Sequence, residues 1–480
     1  MAIFQLKNEN IQFLIGGLLI FTVLAAFRLF ELAFGLFAVI PLVLLLRYSK
    51  RDGSIGIRSL SAGYMTGQII CWVIGFLGCF YIIPLIGYIP RLDGRIMHID
   101  NPLVTLTLIN LVSWGSLLGS YLALPGNKAI KFSSPWNFPE KLLLYGIGVT
   151  TLFFILFVIS NYFAGIVSSR VMHGGIQVGT ALYWLTGLGI IPYLQFILLG
   201  MVLRPSLVGK ENFFIVFFLL SSMYLVSLTG GREAIFRIVL FFLGGSLYSK
   251  LSRKKLRMLI VGIFSFFVIL FIVTRVVRSD NYSESGVAHH LERTQQRMTR
   301  LHENWKGHLY NNIFRVANNL AGQLVIDHVV KHQDYIGFKN FDRLATIFLP
   351  RFIVKDQKTA NDGEERLIES YGLPPTENIT FLADSFERGG YSITFLASIL
   401  VSFWLTLVGR LISKIPIPLF SYFVFVAFFY RSIFLQQFSV LGAIREITYS
   451  FFRDGLLIGA VISIIYLFYR NREYLKLKFG

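Results

Sequence analysis

Residues 212–249 read NFFIVFFLLSSMYLVSLTGGREAIFRIVLFFLGGSLYS. Two apolar runs, at about 212–229 and 234–249, are joined by the tight turn Thr229-Gly-Gly-Arg-Glu233. Each run approaches the roughly 20 apolar residues that a bilayer asks of a spanning helix. A turn this short makes the pair a helical hairpin, and the hairpin decides how the rest of the chain is read.

Working outward, further runs of spanning length lie at about 11–28, 31–46, 65–88, 102–123, 142–163 and 180–203. Beyond the hairpin they continue at about 258–276, 390–409, 417–436 and 455–470. The expected fold class is therefore an all-α polytopic membrane protein of about twelve transmembrane helices. Composition agrees: 55% of residues are hydrophobic, 15% are charged and 47 are Phe. A soluble chain carries about 25% charged residues, and no single soluble core needs this much apolar surface. Cys71 and Cys79 fall inside one apolar run and read as packing residues, with no metal-ligand spacing. No small-residue cleavage site follows the first run, so 11–28 reads as a retained helix.

The formal net charge of +19 would suggest a polyanion partner in a soluble protein. In a membrane protein it is first a statement of topology, because Lys and Arg gather in cytoplasmic loops. If the N-terminus is cytoplasmic, every connection on that side is basic. They hold Arg47, Lys50, Arg51 and Arg58, then Lys128, Lys131 and Lys141, then Arg204 and Lys210. The series continues with Lys250, Arg253, Lys254, Lys255 and Arg257, then Arg410 and Lys414, and ends with Arg470, Arg472, Lys476 and Lys478. Short loops of the opposite side hold far fewer. Both termini are thus expected inside, and no nucleic-acid partner is called for. The organisation is residues 1–276 with nine spans, an extracytoplasmic (periplasmic) loop over 277–389, and residues 390–480 with three spans and a tail. The loop is polar, holds six of the eight histidines, and has helix-like spacing around residues 291–330. Amphipathic helices lying on the membrane surface or over a cavity are expected there. Gly372-Leu-Pro-Pro375 forces an irregular turn before the tenth span.

This topology puts a set of charged residues on one side. Gly230 and Gly231 allow close backbone approach, and Arg232 offers a planar donor fork. Its bland reading is a topological anchor, yet positive charge is disfavoured in such a turn on this side. Arg237 follows one turn into the next helix. In the loop, Arg351 sits between Pro350 and Phe352, and Arg278 lies just outside the ninth run. Both have solvated loop charges as their bland reading. Thr376-Glu-Asn378 is followed by Asp384, Glu387 and Arg388, which read either as a base beside a cation or as interfacial ion pairs. Arg445-Glu446 and Arg453-Asp454 carry the same two readings. His328 and His332 have i, i+4 spacing, but the intervening Val-Val-Lys lacks the Glu of a zinc protease helix. No metal site and no cofactor is expected, and no nucleotide-binding or serine-hydrolase signature is present. Arginine forks suit phosphate or diphosphate, and a carboxylate suits deprotonation of an acceptor hydroxyl.

The pattern resembles the Wzy-type polysaccharide repeat-unit polymerases. The likeness covers the topology of the whole chain and three short stretches: Leu228-Thr-Gly-Gly-Arg-Glu-Ala234; Ile347-Phe-Leu-Pro-Arg351 with Leu373-Pro-Pro-Thr376 and Arg388-Gly-Gly-Tyr391; and Ile444-Arg-Glu446. The resemblance implies a GT-C-like fold, membrane lipids around it, and glycosyl transfer between undecaprenyl-diphosphate-linked glycans. It also implies a Wzz-type chain-length co-polymerase as partner. By position, Arg232 and Arg351 would grip diphosphate and Arg445 would complete the basic cluster, with Arg237, Arg278 and Arg388 as further candidates. Related O-antigen ligases carry a His-Asn-like pair where this chain reads Glu377-Asn378, which argues against a ligase and leaves Glu377 as the candidate base. A lipid-linked-oligosaccharide flippase, the ligase and a non-catalytic scaffold are the competing readings. The absence of a repeat and the long loop count against the flippase.

Overall fold

The computed structural model describes residues 30–50, 59–89, 91–92, 95–96, 99–124, 139–163, 189–203, 210–229, 232–247, 252, 254–263, 265–266, 306–307, 310, 320–343, 362–372 and 379–479. Regular structure there is almost all helical. In chain order the helices are α1 (Phe30–Phe37), α2 (Ile40–Lys50), α3 (Ser59–Gln68), α4 (Pro102–Ala123), α5 (Glu140–Phe163), α6 (Leu194–Met201), α7 (Lys210–Thr229) and α8 (Arg232–Ser246). They continue as α9 (Leu320–His332), α10 (Asp362–Tyr371), α11 (Phe381–Ser413), α12 (Pro418–Phe434), α13 (Val440–Arg445) and α14 (Phe451–Phe479). A two-residue antiparallel bridge joins Arg91–Leu92 to Arg95–Ile96.

Among the described residues six helices are long and apolar enough to cross a membrane: Leu60–Leu85, Pro102–Ala123, Lys141–Ile159, Phe381–Ser413, Pro418–Gln437 and Val440–Arg470. The apolar helices Ala33–Leu46, Ile191–Met201, Asn212–Val226 and Ala234–Ser246 are shorter. The run at 11–28 and most of 258–276 lie outside the described residues. Two of the long helices contain π turns. The first passes through wide π turns at Ile69–Ile74 and Gly78–Ile82, and the last through one at Glu446–Ser450.

The chain forms two compact units. The first takes in Met1–Phe132, Lys306–Lys414 and Phe428–Phe452. Its centre is the pairing of α4 with α11. Gly115 and Gly119 bring the two backbones together: a methyl at Gly119 would land on the Ile399 carbonyl, and one at Gly115 would lie 3.0 Å from the Phe395 carbonyl oxygen. Gly67 of α3 meets the Ile433 carbonyl in the same manner. Small residues at crossings are how helices associate in lipid, where burial of apolar surface no longer drives them together. A seam of short hydrogen bonds runs between these helices. Ser61 Oγ lies 2.8 Å from Thr406 Oγ1, and the Thr406 hydroxyl donates to Ser120 Oγ at 3.0 Å. Gln68 Nε2 donates to the Ile109 carbonyl at 2.7 Å, and Gln436 Nε2 to Gln68 Oε1 at 3.3 Å.

The second unit takes in Ser133–Trp305, Ile415–Ala427 and Arg453–Gly480. Here α6 and α8 cross at Gly200 and Gly245, whose added methyls would strike the carbonyls of Phe242 and Ile197. Phe154 of α5 meets Phe196 of α6 edge-on, centroids 5.3 Å apart.

The described part of the long loop does not lie apart from the bundle. Along α9, Leu320, Ala321, Gly322, Val325, Ile326 and Val329 are buried. Gly322 faces Trp72 of the first long helix and both Thr380 and Ala383 at the start of α11. The amphipathic face expected to rest on a membrane surface or over a cavity is thus used for packing.

Candidate functional site

Among the described residues, the buried charges of the first unit gather at one end. There α11 begins with two turns, Phe381–Arg388, in which every residue is buried. The helix then breaks: Gly390 has φ 68° and ψ −154°, a conformation open to glycine and costly for other residues. The break ends the first segment and starts the long apolar one.

Asp384, Glu387 and Arg388 project from the short segment, with exposures of 0%, 3% and 5%. The i, i+4 spacing lets Arg388 Nε donate to Asp384 Oδ2 at 3.1 Å. Arg366, from α10, closes the network by donating to Asp384 through one nitrogen and to Glu387 through the other. The Val440 backbone N–H at the start of α13 donates to Asp384 Oδ2 at 2.6 Å, a carboxylate at a helix N-terminus. The Tyr371 hydroxyl donates to Glu387 Oε1 at 3.0 Å. Burial pushes the Tyr371 phenol up, and the Glu387 charge adds to this. The far side of Arg388 is also used. Its Nη1 donates to the carbonyls of Gly337 and Lys339 at 3.2 and 3.0 Å, and the guanidinium lies 5.0 Å over the Phe341 ring. Two cations and two carboxylates thus meet among the described residues. The ensemble is a hydrogen-bonded clasp joining α10, α11, α13 and the segment after α9.

A second polar relay lies at the same end. The Thr105 hydroxyl donates to Gln323 Oε1 at 2.9 Å, which fixes the amide so that Nε2 donates to Asp327 Oδ1 at 3.1 Å. Burial, with the Asp100 charge adding to it and the Gln323 bond opposing it, pushes the Asp327 carboxyl up to about 6. His328 and His332 lie with ring centres 4.5 Å apart and tilted by 40°, and His328 packs edge-on to Tyr371 at 5.2 Å. Among the described residues no three His, Cys, Asp or Glu side chains converge as a metal set.

The residues expected to form a site are distributed as follows. Arg388 belongs to the clasp, paired with Asp384. Arg445 ends α13 in the first unit, half-buried, at the edge of a π turn. It forms no ion pair with a described residue, while the neighbouring Glu446 is taken by Arg431 Nη1 at 2.5 Å. Arg237 lies in the second unit, where its Nη1 donates to the Gly189 carbonyl at 3.3 Å and its guanidinium sits 5.4 Å from the Tyr193 ring centre. Arg232 is the first residue of α8. Arg278, Arg351 and Glu377 lie outside the described residues. Arg453 pairs with Asp454 at 3.1 Å. Sequence reasoning missed Arg366, Tyr371 and Asp327. The first two lie in DGEERLIESY, which reads as a solvated helix because acidic residues surround the arginine.

No protein-family model, no curated protein and no solved structure matches this chain.

Proposed function

We propose that this protein is a multi-pass enzyme of the bacterial inner membrane, with about twelve spans, a GT-C-like arrangement and both termini in the cytoplasm. On this reading it polymerises undecaprenyl-diphosphate-linked repeat units at the periplasmic face. The acceptor hydroxyl gives its proton to a carboxylate, Glu377 in the first instance. Its oxygen attacks the anomeric carbon of the growing chain, and undecaprenyl diphosphate departs with the electron pair. Arg232, Arg351 and Arg445 hold the diphosphate, where the guanidinium fork suits two phosphate oxygens at once. A Wzz-type co-polymerase sets chain length.

The observation that carries this reading is Arg445. It is a half-buried arginine on the Ile444-Arg-Glu446 motif, beside the clasped end of the first unit, and it forms no ion pair with a described residue. Its neighbours in that unit are committed internally, so an incoming anion finds this guanidinium without first breaking a buried pair. Retention of an ionisable group in an apolar helix marks a functional position by default.

One observation favours a second reading. The Ser61–Thr406–Ser120 and Gln68–Gln436 seam gives the first unit a polar interior, which suits a flippase for the same lipid-linked glycan.

Deleting the gene and resolving surface and lipid-linked polysaccharide on a gel separates the two. A ladder collapsed to one repeat unit on its final acceptor supports polymerisation. Loss of even the single unit from the surface supports the flippase, and full-length polymer stranded on the carrier supports the ligase. Arg445→Ala and Arg232→Ala are each expected to collapse the ladder at unchanged protein level, and Arg445→Lys to retain part of it. A normal ladder in Arg445→Ala removes the diphosphate role.

A further inference from the structure

We infer that the segment Gln333–Arg343 is a membrane-dipping foot, whose Phe338 ring inserts among lipid headgroups and upper acyl chains beside the start of the α11 span. The inference rests on reading α11 as membrane-spanning.

The depth follows from the helix itself. Beyond the Gly389–Gly390 break, Leu396, Leu400 and Leu411 are 50%, 58% and 62% exposed, as side chains turned to lipid would be. At about 1.5 Å per residue, the stretch from Tyr391 to Leu411 rises roughly 30 Å, the thickness of a hydrocarbon core. The break then lies at headgroup level. Bonds to the residues around that break hold the segment there. The Ile336 N–H donates to the Glu387 carbonyl at 3.0 Å, and Arg388 takes the carbonyls of Gly337 and Lys339. The Tyr335 hydroxyl lies 3.3 Å from where a methyl on Gly390 would stand. The segment also accepts backbone strain, since Gln333 and Asn340 have φ of 56° and 68° without being glycine.

What this scaffold presents is apolar. Phe338 is 73% exposed, while Tyr335 and Tyr391, both 44% exposed, flank the buried Phe386 at 6.4 and 5.3 Å. A lone exposed phenylalanine is ordinary on a soluble surface. A phenylalanine edge-on to Phe341, with centroids 5.2 Å apart, on a segment that also carries the half-exposed Tyr335 has the composition of an interfacial belt. The charges of the segment and its flank, Lys331, Lys339 and Arg343 against Asp334 and Asp342, nearly cancel. Attachment is therefore by the ring and indifferent to anionic lipid and salt, unlike a basic amphipathic helix.

The test uses the full chain carrying Phe338→Cys with a nitroxide label, in phosphatidylcholine nanodiscs, read by power saturation with oxygen and with a water-soluble nickel chelate. Cys71 and Cys79 are buried, and the unsubstituted protein controls for their labelling. The expected result is oxygen contact exceeding chelate contact, the inverse of the ratio in water, unchanged on adding phosphatidylglycerol or salt. Chelate contact as for a label in water overturns the inference, as does exclusion of both reagents, which means a protein partner covers the ring. A label at Leu400→Cys separates the two levels of failure. If Leu400 reports lipid and Phe338 reports water, only the foot is wrong; if Leu400 reports water, the span itself is wrong. Quenching by brominated lipid of a Phe338→Trp protein, above that of the unsubstituted protein, is a second reading that does not depend on the label.

Discussion

Arg366 is the residue on which the clasp turns, because among the described residues it alone bonds both Asp384 and Glu387. Removing one partner of a buried ionic network leaves the others charged and undercompensated, at a cost of about 3–5 kcal/mol. Arg366→Met is expected to lower the thermal midpoint in detergent sharply, and Arg366→Met with Glu387→Gln to recover part of the loss. Equal midpoints for the single variant and the parent protein would mean that the clasp contributes nothing net. Asp327 works in the opposite sense. Its folded carboxyl sits at about 6, above the unfolded value near 4. The folded state therefore holds the extra proton between these values, and stability falls as pH rises through this window, then levels off. Asp327→Asn keeps an acceptor for Gln323 and has no charge to bury. Its midpoint is expected to exceed that of the parent at pH near 7 and to match it below about pH 4, by thermal unfolding across pH. Asp384, Glu387 and Arg388 were legible as a charged group because they abut an apolar run. Arg366 was not, because its sequence neighbours belong to solvent while its own side chain turns inward. That difference arises only when α10 docks.

At the scale of elements, the glycines make the sharper test. Gly119→Ala is expected to push α4 off α11, since the added methyl meets a backbone carbonyl that has no rotamer to adopt. Gly148→Ala in α5, where nothing lies within 4 Å, is expected to be neutral or to gain a few tenths of a kcal/mol from helix propensity. Measuring the two midpoints together checks the pairing, and an equal response would put the α4–α11 contact in doubt. The apolar runs located these elements well where lipid-length apolar sequence is the whole signal: the tenth, eleventh and twelfth runs each fall within a long helix. They passed over short helices whose residues are polar. The tenth run begins near 390, at the Gly389–Gly390 break, while the two helical turns before it start at Phe381. Those turns carry Asp384, Glu387 and Arg388, which hydropathy reads as loop and ion pairing makes helix. Likewise, the run at 180–203 is helical in its described part only as the 3-10 turn Ile191–Tyr193 followed by α6.

For the whole molecule, topology is the property to measure first, because every proposed site residue depends on it. A phosphatase reporter fused after residue 330 is expected to be active and a cytoplasmic fluorescent reporter there to be dark. The reverse would move Arg232, Arg351 and Arg445 to the wrong side for a periplasmic reaction. The hydrophobic count and the basic loops made a membrane chain legible, because bilayer thickness and charge asymmetry act on composition alone. The division into two units was not legible, because each gathers segments remote in sequence.

The α4–α11 pairing has a consequence for how the protein is made. Close to 270 residues separate Ala123 from Tyr391, which at 5–20 residues per second is roughly 15–50 s of synthesis. Through that interval α4 has left the ribosome while the helix that meets Gly115, Gly119 and Ser120 does not yet exist. Its serine-lined face must wait, either shielded within the insertion machinery or borrowed temporarily by an earlier helix. A ribosome stalled near residue 380 would hold the chain in that unfinished state, where α4 is open to the quality-control proteases that read polar faces in lipid.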